Sequence, residues 1–492
     1  MPGKKIAIIG SGISSLSCAS FLAKAGHDVT ILEKNDCIGG RARQFVTENG
    51  FTFDMGPSWY WMPDIFENFY RQFGYATSDF YELVRLDPSY KVIWGKNDSD
   101  KIPASVIELE EYFEQLELGS SVKLRQFLAD AEKKYQIGMK DLVYKPSLKL
   151  SEFADSRILS GLFKMHLFTS YSSFIRKYFS HPKIISLLEF PILFLGATPK
   201  DTPALYSLMN YADIQLGTWY PMGGMFEFVK AFERIAKEQG TKFMLNTSVT
   251  GINTSAGKIH SLNTSQGELN FDLVISGADY RHTEQLLKNK ANYSDTYWEK
   301  RIMAPSCLLF YIGLNCKVPN LEHHNLFFDE DFETHAREIY TNPQWPGKPL
   351  FYVSCPSKTD SSVAPEGSEN LFLLIPIAPG LEDSEEKREH YFRLLTKRLE
   401  EKTGLDINPH IVYKRSYCIS DFMNDYNAFK GNAYGLANTL KQTALLKPRI
   451  RNKHLSNLFY TGQLTVPGPG VPPSIISGEV VAKYIIKHIQ KL

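Results

Sequence analysis

The 492-residue chain has no run of about 20 apolar residues, so none of it is expected to cross a bilayer as a helix. Its six cysteines, Cys18, Cys37, Cys307, Cys316, Cys355 and Cys418, make no Cys-x-x-Cys pair and show no metal-ligand spacing. Reduced thiols of an intracellular protein are expected, and a disulfide framework is not. An excess of one charge sign is missing too: 22% of residues are charged and the net charge is +1. Nothing here would release counterions from phosphates, which argues against nucleic acid as a partner. The patterns His-Glu-x-x-His and Gly-x-Ser-x-Gly are absent, so metal hydrolysis and acyl transfer lack support. His323 and His324 are adjacent, would point apart on a strand or helix, and read as loop residues. There is no internal repeat and no low-complexity tract.

What is present suits a large globular protein of two or three structural units. Aromatic residues reach 13%, enough for a large core or for lining an apolar cavity. Lys4 and Lys5 precede an apolar run that superficially looks like a secretory signal, but Gly10 cuts it short. It reads instead as a strand over Lys5 to Ile9, followed by a helix from Ile13 to Gly26 and a second strand from Asp28 to Glu33. From about Val106 to Leu216 the signals are mainly helical. "YPMGGMFEFVKAFERIAKEQG" then predicts a glycine turn and an amphipathic helix stopped by Gly240. "KFMLNTSVTGI" and "ELNFDLVISGAD" each read as one strand. "CLLFYIGLN", "LFYVSC" and "NLFLLIPIA" predict a further sheet, and "NLFYTGQLTVPGPGVPPSIISGEVVAKYIIKHI" a strand, a Gly/Pro-rich turn and a closing helix.

The chemistry-bearing motif is Gly10-x-Gly12-x-x-Ser15 at the first strand-helix junction. Gly10 permits a tight turn, and Gly12 removes a side chain so that backbone N–H groups can approach a pyrophosphate at the positive end of the helix. The third small position allows close helix–strand packing, and Ser15 enlarges it by only a Cβ and a hydroxyl. Glu33, 23 residues after Gly10, lies where a ribose hydroxyl needs an acceptor. Gly39-Gly40 followed by Arg41 and Arg43 would bring guanidinium groups toward a pyrophosphate or a flavin rim.

"GGRAR" so soon after the acid resembles the flavoprotein superfamily of amine oxidases and carotenoid desaturases. Nearly the whole chain is similar to the bacterial phytoene desaturase type. The likeness is carried by "GGRARQF", "GFTFDMGPSW", "WYPMGGM" (219–225), "DSSVAPEG" (360–367), "DFMNDYNAFKGNAYGL" (421–436), "LKQTA" (440–444) and "NLFYTGQLTVPGPGVPPSIISG". Two departures stand out: Ser15 replaces the usual third glycine, and Gly462-Gln463-Leu464 with "PGPGVPPS" differs from the commoner Gly-Ala-Gly and its Pro-Gly-Ala-Gly-Ile-Pro-Gly partner.

The resemblance implies FAD as cofactor and a fold that is α/β and α+β. A discontinuous Rossmann-like FAD-binding domain would span 1–75, 217–290 and 440–492. A mixed-sheet substrate domain would span 76–105 and 291–439, and a helical, membrane-facing insertion 106–216. By the same resemblance Gly10, Gly12, Ile13, Ser14 and Ser15 meet the pyrophosphate, Glu33 and Lys34 the adenosine ribose, and Gly40, Arg41 and Ala42 the phosphates. Gly56, Pro57 and Ser58 complete the cofactor set, Val249 lies toward the adenine, and Gly462, Gln463, Val471 and Pro472 approach the flavin end.

The implied reaction removes two hydrogens from a CH2–CH2 unit of a linear carotenoid, most simply phytoene on the way to lycopene. The alternatives are a 1'-hydroxycarotenoid 3,4-desaturase or another late carotenoid desaturase, a flavin amine oxidase, and a non-enzymatic prenyl-lipid escort of the same fold. Oxygen or a membrane quinone would reoxidise the flavin. No catalytic residue is assigned, because a developing allylic cation makes the second C–H acidic without a strong base. Arg176 and Asp213 are the acid–base candidates in or near the insertion. The stretch 156–196 mixes Phe and Leu with Lys164, Arg176, Lys177 and Lys183 and suggests a cytoplasmic protein in peripheral contact with a membrane, with Phe174 and Phe179 facing the lipid.

Overall fold

The computed structural model describes residues 3–153, 166, 169–287 and 289–488. Five short strands build one sheet: β1 (Lys5–Ile9), β2 (Asp28–Leu32), β3 (Lys242–Met244), β4 (Leu273–Ser276) and β5 (Leu458–Tyr460). Their order is β5-β4-β1-β2-β3 and every pairing is parallel. Unbroken apolar runs such as "IAII" and "LVIS" suit such a sheet, since both its faces are covered. Helix α1 (Ile13–Lys24) packs against α2 (Phe226–Glu238) and α3 (Val471–His488). The small residues of α1 let α3 come very close. A Cβ on Gly478 of α3 would stand 2.3 Å from the Ser14 carbonyl oxygen and 2.8 Å from the Cys18 nitrogen.

The larger sheet has seven strands in the order Ile411–Tyr417, Ser306–Leu314, Glu369–Ile377, Phe351–Ser354, His324–Phe327, Tyr90–Gly95 and Asp98–Ile102. It is mixed, because His324–Phe327 and Tyr90–Gly95 run parallel while the other neighbours run antiparallel. Its two faces bury different partners by the two-residue period of a strand. Leu308, Phe310 and Ile312 pack with Phe392 and Leu395 of the helix Glu385–Thr403. Leu309 and Tyr311 face the other way, into the core shared with α1 and β1.

Three expectations need correction. "KFMLNTSVTGI" is two strands, β3 and Val249–Ser255, because Asn246 adopts a positive φ of 51° and turns the chain out of the parallel sheet. "ELNFDLVISGAD" likewise divides into Gly267–Asn270, in a three-stranded antiparallel sheet with Val249–Ser255 and Lys258–Thr264, and β4. Of the two histidines read as loop residues, His323 does stand in a bend, but His324 does not. Both are buried, with ring centroids 4.5 Å apart, and His324 opens a strand of the large sheet.

The described part of 106–216 is helical, with Val106–Leu116, Ser120–Ile137, Tyr171–Ile175 and Pro182–Glu189. Of the expected lipid-facing stretch, residues 156–165, 167 and 168 lie outside the described residues. Phe174 and Phe179 do not face outward. They are 3% and 2% exposed and pack with Phe127, because large aromatic rings gain most by leaving water. Arg176 is paired with Glu189, and Lys183 with Asp98 and Asp100. Among the described residues no helix is long and apolar enough to cross a membrane.

Candidate functional site

β1 ends at Ile9 and the chain turns at Gly10, whose φ of +86° is open to glycine and strained for other residues. Its N–H donates to the Leu32 carbonyl at 2.8 Å, tying the turn to β2. Gly12 is extended, and a Cβ built on it would meet no atom within 4 Å. Helix α1 begins at the next residue with no side-chain cap. The N–H groups of Ile13, Ser14 and Ser15 therefore end the helix dipole beside open space.

A second wall comes from the turn Gly40–Ala42. The Gly39 N–H donates to the Ser11 carbonyl at 3.1 Å, and a Cβ on Gly40 would stand 3.2 Å from the Gly12 Cα. Gly56 lies against the Arg41 carbonyl oxygen, where a Cβ would come within 2.5 Å, so Gly56-Pro57-Ser58 runs along the same wall. Glu33 is buried and both of its oxygens accept hydrogen bonds. One carboxylate oxygen accepts from the Ser11 N–H (2.8 Å) and hydroxyl (2.7 Å), and the other from the Asn35 N–H (2.9 Å).

The far end of the chain closes the groove. Gly462, φ +104°, donates its N–H to the Ser477 hydroxyl at 3.0 Å, and a Cβ there would stand 3.1 Å from the Ser14 hydroxyl. Gln463 donates to the Asn432 side-chain oxygen at 3.4 Å, and Val471 and Pro472 open α3. Most predicted residues thus converge, but three side chains do not. Lys34 bonds the Asn424 carbonyl instead of facing the groove. Val249 is buried in the core and offers only its backbone. The Ser15 side chain turns toward Gly277, where any Cβ would fall 2.0 Å from its hydroxyl, so a glycine on β4's exit turn accommodates the missing third glycine of the motif.

Arg41, on the turn that forms the second wall, is a half-buried cation with spare donor capacity. It donates to the Asn432 carbonyl at 3.2 Å and lies 5.0 Å over the Tyr426 ring, while its Nε has no partner. Burial pulls its pKa down against the opposing pull of Tyr426 and Asp279. Sequence reasoning missed Asp279, which accepts from the His282 and Phe429 N–H groups at 3.1 and 3.2 Å and whose carboxyl burial pushes up. It also missed Asp54, pushed up to about 6 by burial, which accepts from the Met225 and Phe226 N–H groups at the start of α2. The "FDMGPSW" run signalled its importance without saying what it does. A bare glycine, an uncapped helix end and an unpartnered guanidinium nitrogen together fit a dinucleotide diphosphate.

Beyond Ser58 the wall turns aromatic. Trp59 stacks on His324 at 4.2 Å and contacts Trp61, Tyr90 and Phe190. The Tyr352 hydroxyl meets His324 Nδ1 at 2.6 Å. A cavity lined in part by Ser58, Tyr220, His323 and Ser354 has room for about one water molecule. Behind this wall Asp213, pushed up to about 7 by burial, accepts from the Tyr90 and Thr218 hydroxyls, both at 3.2 Å. Arg176 is engaged by Glu189 and Ser172 and does not join it.

Comparison with known proteins agrees with this geometry. The family described as flavin containing amine oxidoreductase matches residues 13–486. The chain is 38% identical over 493 residues to a carotenoid 3,4-desaturase of Haloarcula japonica, covering 99% of each. It is 30% identical over 505 residues to a 4,4'-diapophytoene desaturase (4,4'-diaponeurosporene-forming) of Staphylococcus aureus, again covering 99% of each. A solved oxidoreductase of Methanosarcina mazei shares the fold, with a TM-score of 0.63 at 16% identity over 97% of this chain and 100% of that one. These findings set aside the non-enzymatic escort and leave an FAD-dependent oxidoreductase. The chain belongs to the flavin-containing amine oxidoreductases and, within them, to the carotenoid desaturases.

Proposed function

We propose that this enzyme introduces a double bond near the end of an already elongated linear carotenoid, the late-desaturase reading, in preference to converting phytoene toward lycopene. The full-length likeness to a carotenoid 3,4-desaturase supports that order of preference. The observation that carries the reading is the open space at Gly12, together with the buried, unpartnered Nε of Arg41 and the aromatic cluster of Trp59, Trp61, Tyr90 and Phe190 that follows Ser58 along the chain. FAD would rest with its diphosphate at Gly10, Gly12 and the N–H groups of Ile13, Ser14 and Ser15, Arg41 supplying charge and Gly40 and Ala42 the second wall. Glu33 would meet the ribose, the backbone at Val249 the adenine end, and Gly462, Gln463, Val471 and Pro472 the ring end. Segments 1–75, 217–290 and 440–492 would then form the cofactor unit, with 76–105 and 291–439 carrying the substrate.

When bound, FAD supplies a ring that accepts two electrons as hydride. The chain's own part is to hold the carotenoid against that ring and exclude water. Trp59, Trp61, Tyr90 and Phe190 offer apolar faces on which a cationic polyene is stabilised by the ring quadrupoles. Asp213 anchors Tyr90, and Thr218, bonded to the Trp61 indole N–H at 2.8 Å, extends the support.

A carotenoid reaches the groove from a membrane, so peripheral contact belongs to this reading, with oxygen or a quinone as final oxidant. Leu118 and Val122, 89% and 53% exposed where the helices Val106–Leu116 and Ser120–Ile137 meet, support a contact there rather than at Phe174 and Phe179. The test offers purified holoenzyme, in liposomes, phytoene in one arm and a longer acyclic polyene in the other. Bathochromic product from the longer polyene at tenfold or greater preference is expected, and exclusive turnover of phytoene would refute the late-step reading. Leu118→Asp should reduce liposome flotation.

A further inference from the structure

Most buried polar groups in the protein are paired. Near the end of the chain a small group is not. Lys447 is 4% exposed, and its Nζ has no hydrogen-bond partner. Asn438 is equally hidden and its side-chain oxygen has none either, nor does the hydroxyl of the adjoining Thr439. The amine and the amide oxygen flank one point: a Cβ built on Gly468 would stand 3.2 Å from the first and 3.1 Å from the second. An isolated ammonium in such a place is expensive, and so is an acceptor without a donor. A structural lysine would have been paired.

Gly468 belongs to the turn that joins β5 to α3, and the same turn begins at Gly462, against Ser14 at the diphosphate cradle. The unpaired amine is therefore tied to the cofactor groove by a handful of residues. Among the described residues no charged group acts measurably on it, burial being the one influence. The loop 438–447 holds one other ionisable residue, the exposed Lys441, and the turn 466–470 holds none. Burial alone lowers the Lys447 pKa, to about 7, so the neutral amine is abundant at physiological pH.

Resting on the desaturase reading above, we propose that Lys447 is the base that takes the proton released when the carotenoid is desaturated, with Asn438 Oδ1 as the acceptor that receives the resulting ammonium. The balance is complete with FAD as oxidant. One C–H pair leaves the substrate as hydride to the oxidised flavin, and the C–H bond of the neighbouring carbon breaks. Its electron pair closes the new C=C bond, and its proton passes to the lone pair of Nζ. The neutral amine has a lone pair that no neighbour engages, and the ammonium it becomes has the Asn438 oxygen, beside the same glycine, to turn toward. No Asp or Glu is needed, in keeping with Asp213 being engaged by two hydroxyls behind the wall.

The test compares wild-type holoenzyme with Lys447→Met, Lys447→Arg and Asn438→Ala. Readouts are FAD content, flavin reduction by a single equivalent of carotenoid in anaerobic liposomes from pH 5 to 9, and melting of the apoprotein. Wild-type reduction should rise with pH and level off above about 7. Lys447→Met should retain FAD, reduce flavin about 100-fold more slowly and lose the pH dependence. Its apoprotein should melt higher, because the change removes a buried amine without a partner. Asn438→Ala should move the pH midpoint downward, since the ammonium loses its acceptor. Arginine preserves charge but cannot act as a base, so it should behave like methionine. Activity retained in Lys447→Arg, or in Lys447→Met with an unchanged pH profile, would overturn the assignment. Should Lys447→Met fail to fold, 13C-methyl-lysine NMR of the wild type decides it: a midpoint above 9 for Lys447 refutes the proposal. Failure of the desaturase reading looks different, as no carotenoid would then reduce the wild-type flavin.

Discussion

Glu33 and Lys447 are each 4% exposed, and they live in opposite circumstances. The carboxylate accepts from two N–H groups and a hydroxyl, and those bonds lock the Gly10–Gly12 turn onto the end of β2. The amine accepts and donates nothing. Burial alone thus separates neither one from the core. Pairing does: a satisfied buried charge holds the backbone in place, and an unsatisfied one is costly unless a ligand or a proton completes it. The same contrast appears among glycines. Gly12 faces space, whereas a Cβ on Gly478 would stand 2.3 Å from a helix backbone oxygen.

These contrasts can be broken by substitution, and the expected effects descend in size. Glu33→Ala would strand the Ser11 N–H, the Ser11 hydroxyl and the Asn35 N–H, and should cost about 3 kcal/mol by chemical denaturation. Gly478→Ala should cost about 2 kcal/mol, since α1 and α3 must move apart. Gly12→Ala is its mirror image. Apoprotein stability should change by less than about 0.5 kcal/mol, while FAD affinity measured by fluorescence quenching falls tenfold or more. An apoprotein destabilised as much as by Gly478→Ala would erase the distinction between the two glycines.

The pH behaviour sharpens the first contrast. The folded pKa of Lys447 lies below its unfolded value of 10.5, so the unfolded chain binds more protons between about 7 and 10.5. Apoprotein stability should therefore rise with pH across that window through this group. Lys447→Met should lack that slope and be the more stable protein below pH 7, the gap closing toward pH 10.5. Asp213 has the opposite sign. Its folded pKa of about 7 exceeds the unfolded 3.8, so its contribution falls as pH rises between the two. Asp213→Asn should remove that slope and, at pH 4, change stability by less than about 0.5 kcal/mol, the smallest effect of the series.

Much of the cofactor end was legible because its signals are local. β1, the turn at Gly10 and the start of α1 follow from a run of some ten residues, and the acid at the end of β2 from one strand more. "WYPMGGM" was readable as a turn, but its reason was not. Gly224 is bare because a Cβ would fall 2.9 Å from Asp54, a residue in another part of the chain. The lipid-facing reading of Phe174 and Phe179 failed for the same cause, as interleaved aromatic and basic residues look alike whether the rings meet lipid or Phe127. His324 read as a loop residue because nothing nearby in sequence announces that it opens a strand under Trp59, or that Tyr220 covers its neighbour His323.

From residue order alone came the parallel opening unit with its dinucleotide turn and the closing strand, turn and helix, because hydrophobic period and glycine placement act over one or two turns of chain; FAD in particular followed from the resemblance carried by the longer motifs. Tertiary packing decided the rest. It put Ser15 opposite Gly277, joined Ser17 to the Ile475 carbonyl 458 residues away, and left Lys447 and Asn438 facing the same glycine without partners. Pairing and its absence depend on which distant atoms arrive within about 3 Å, and only the folded chain determines that.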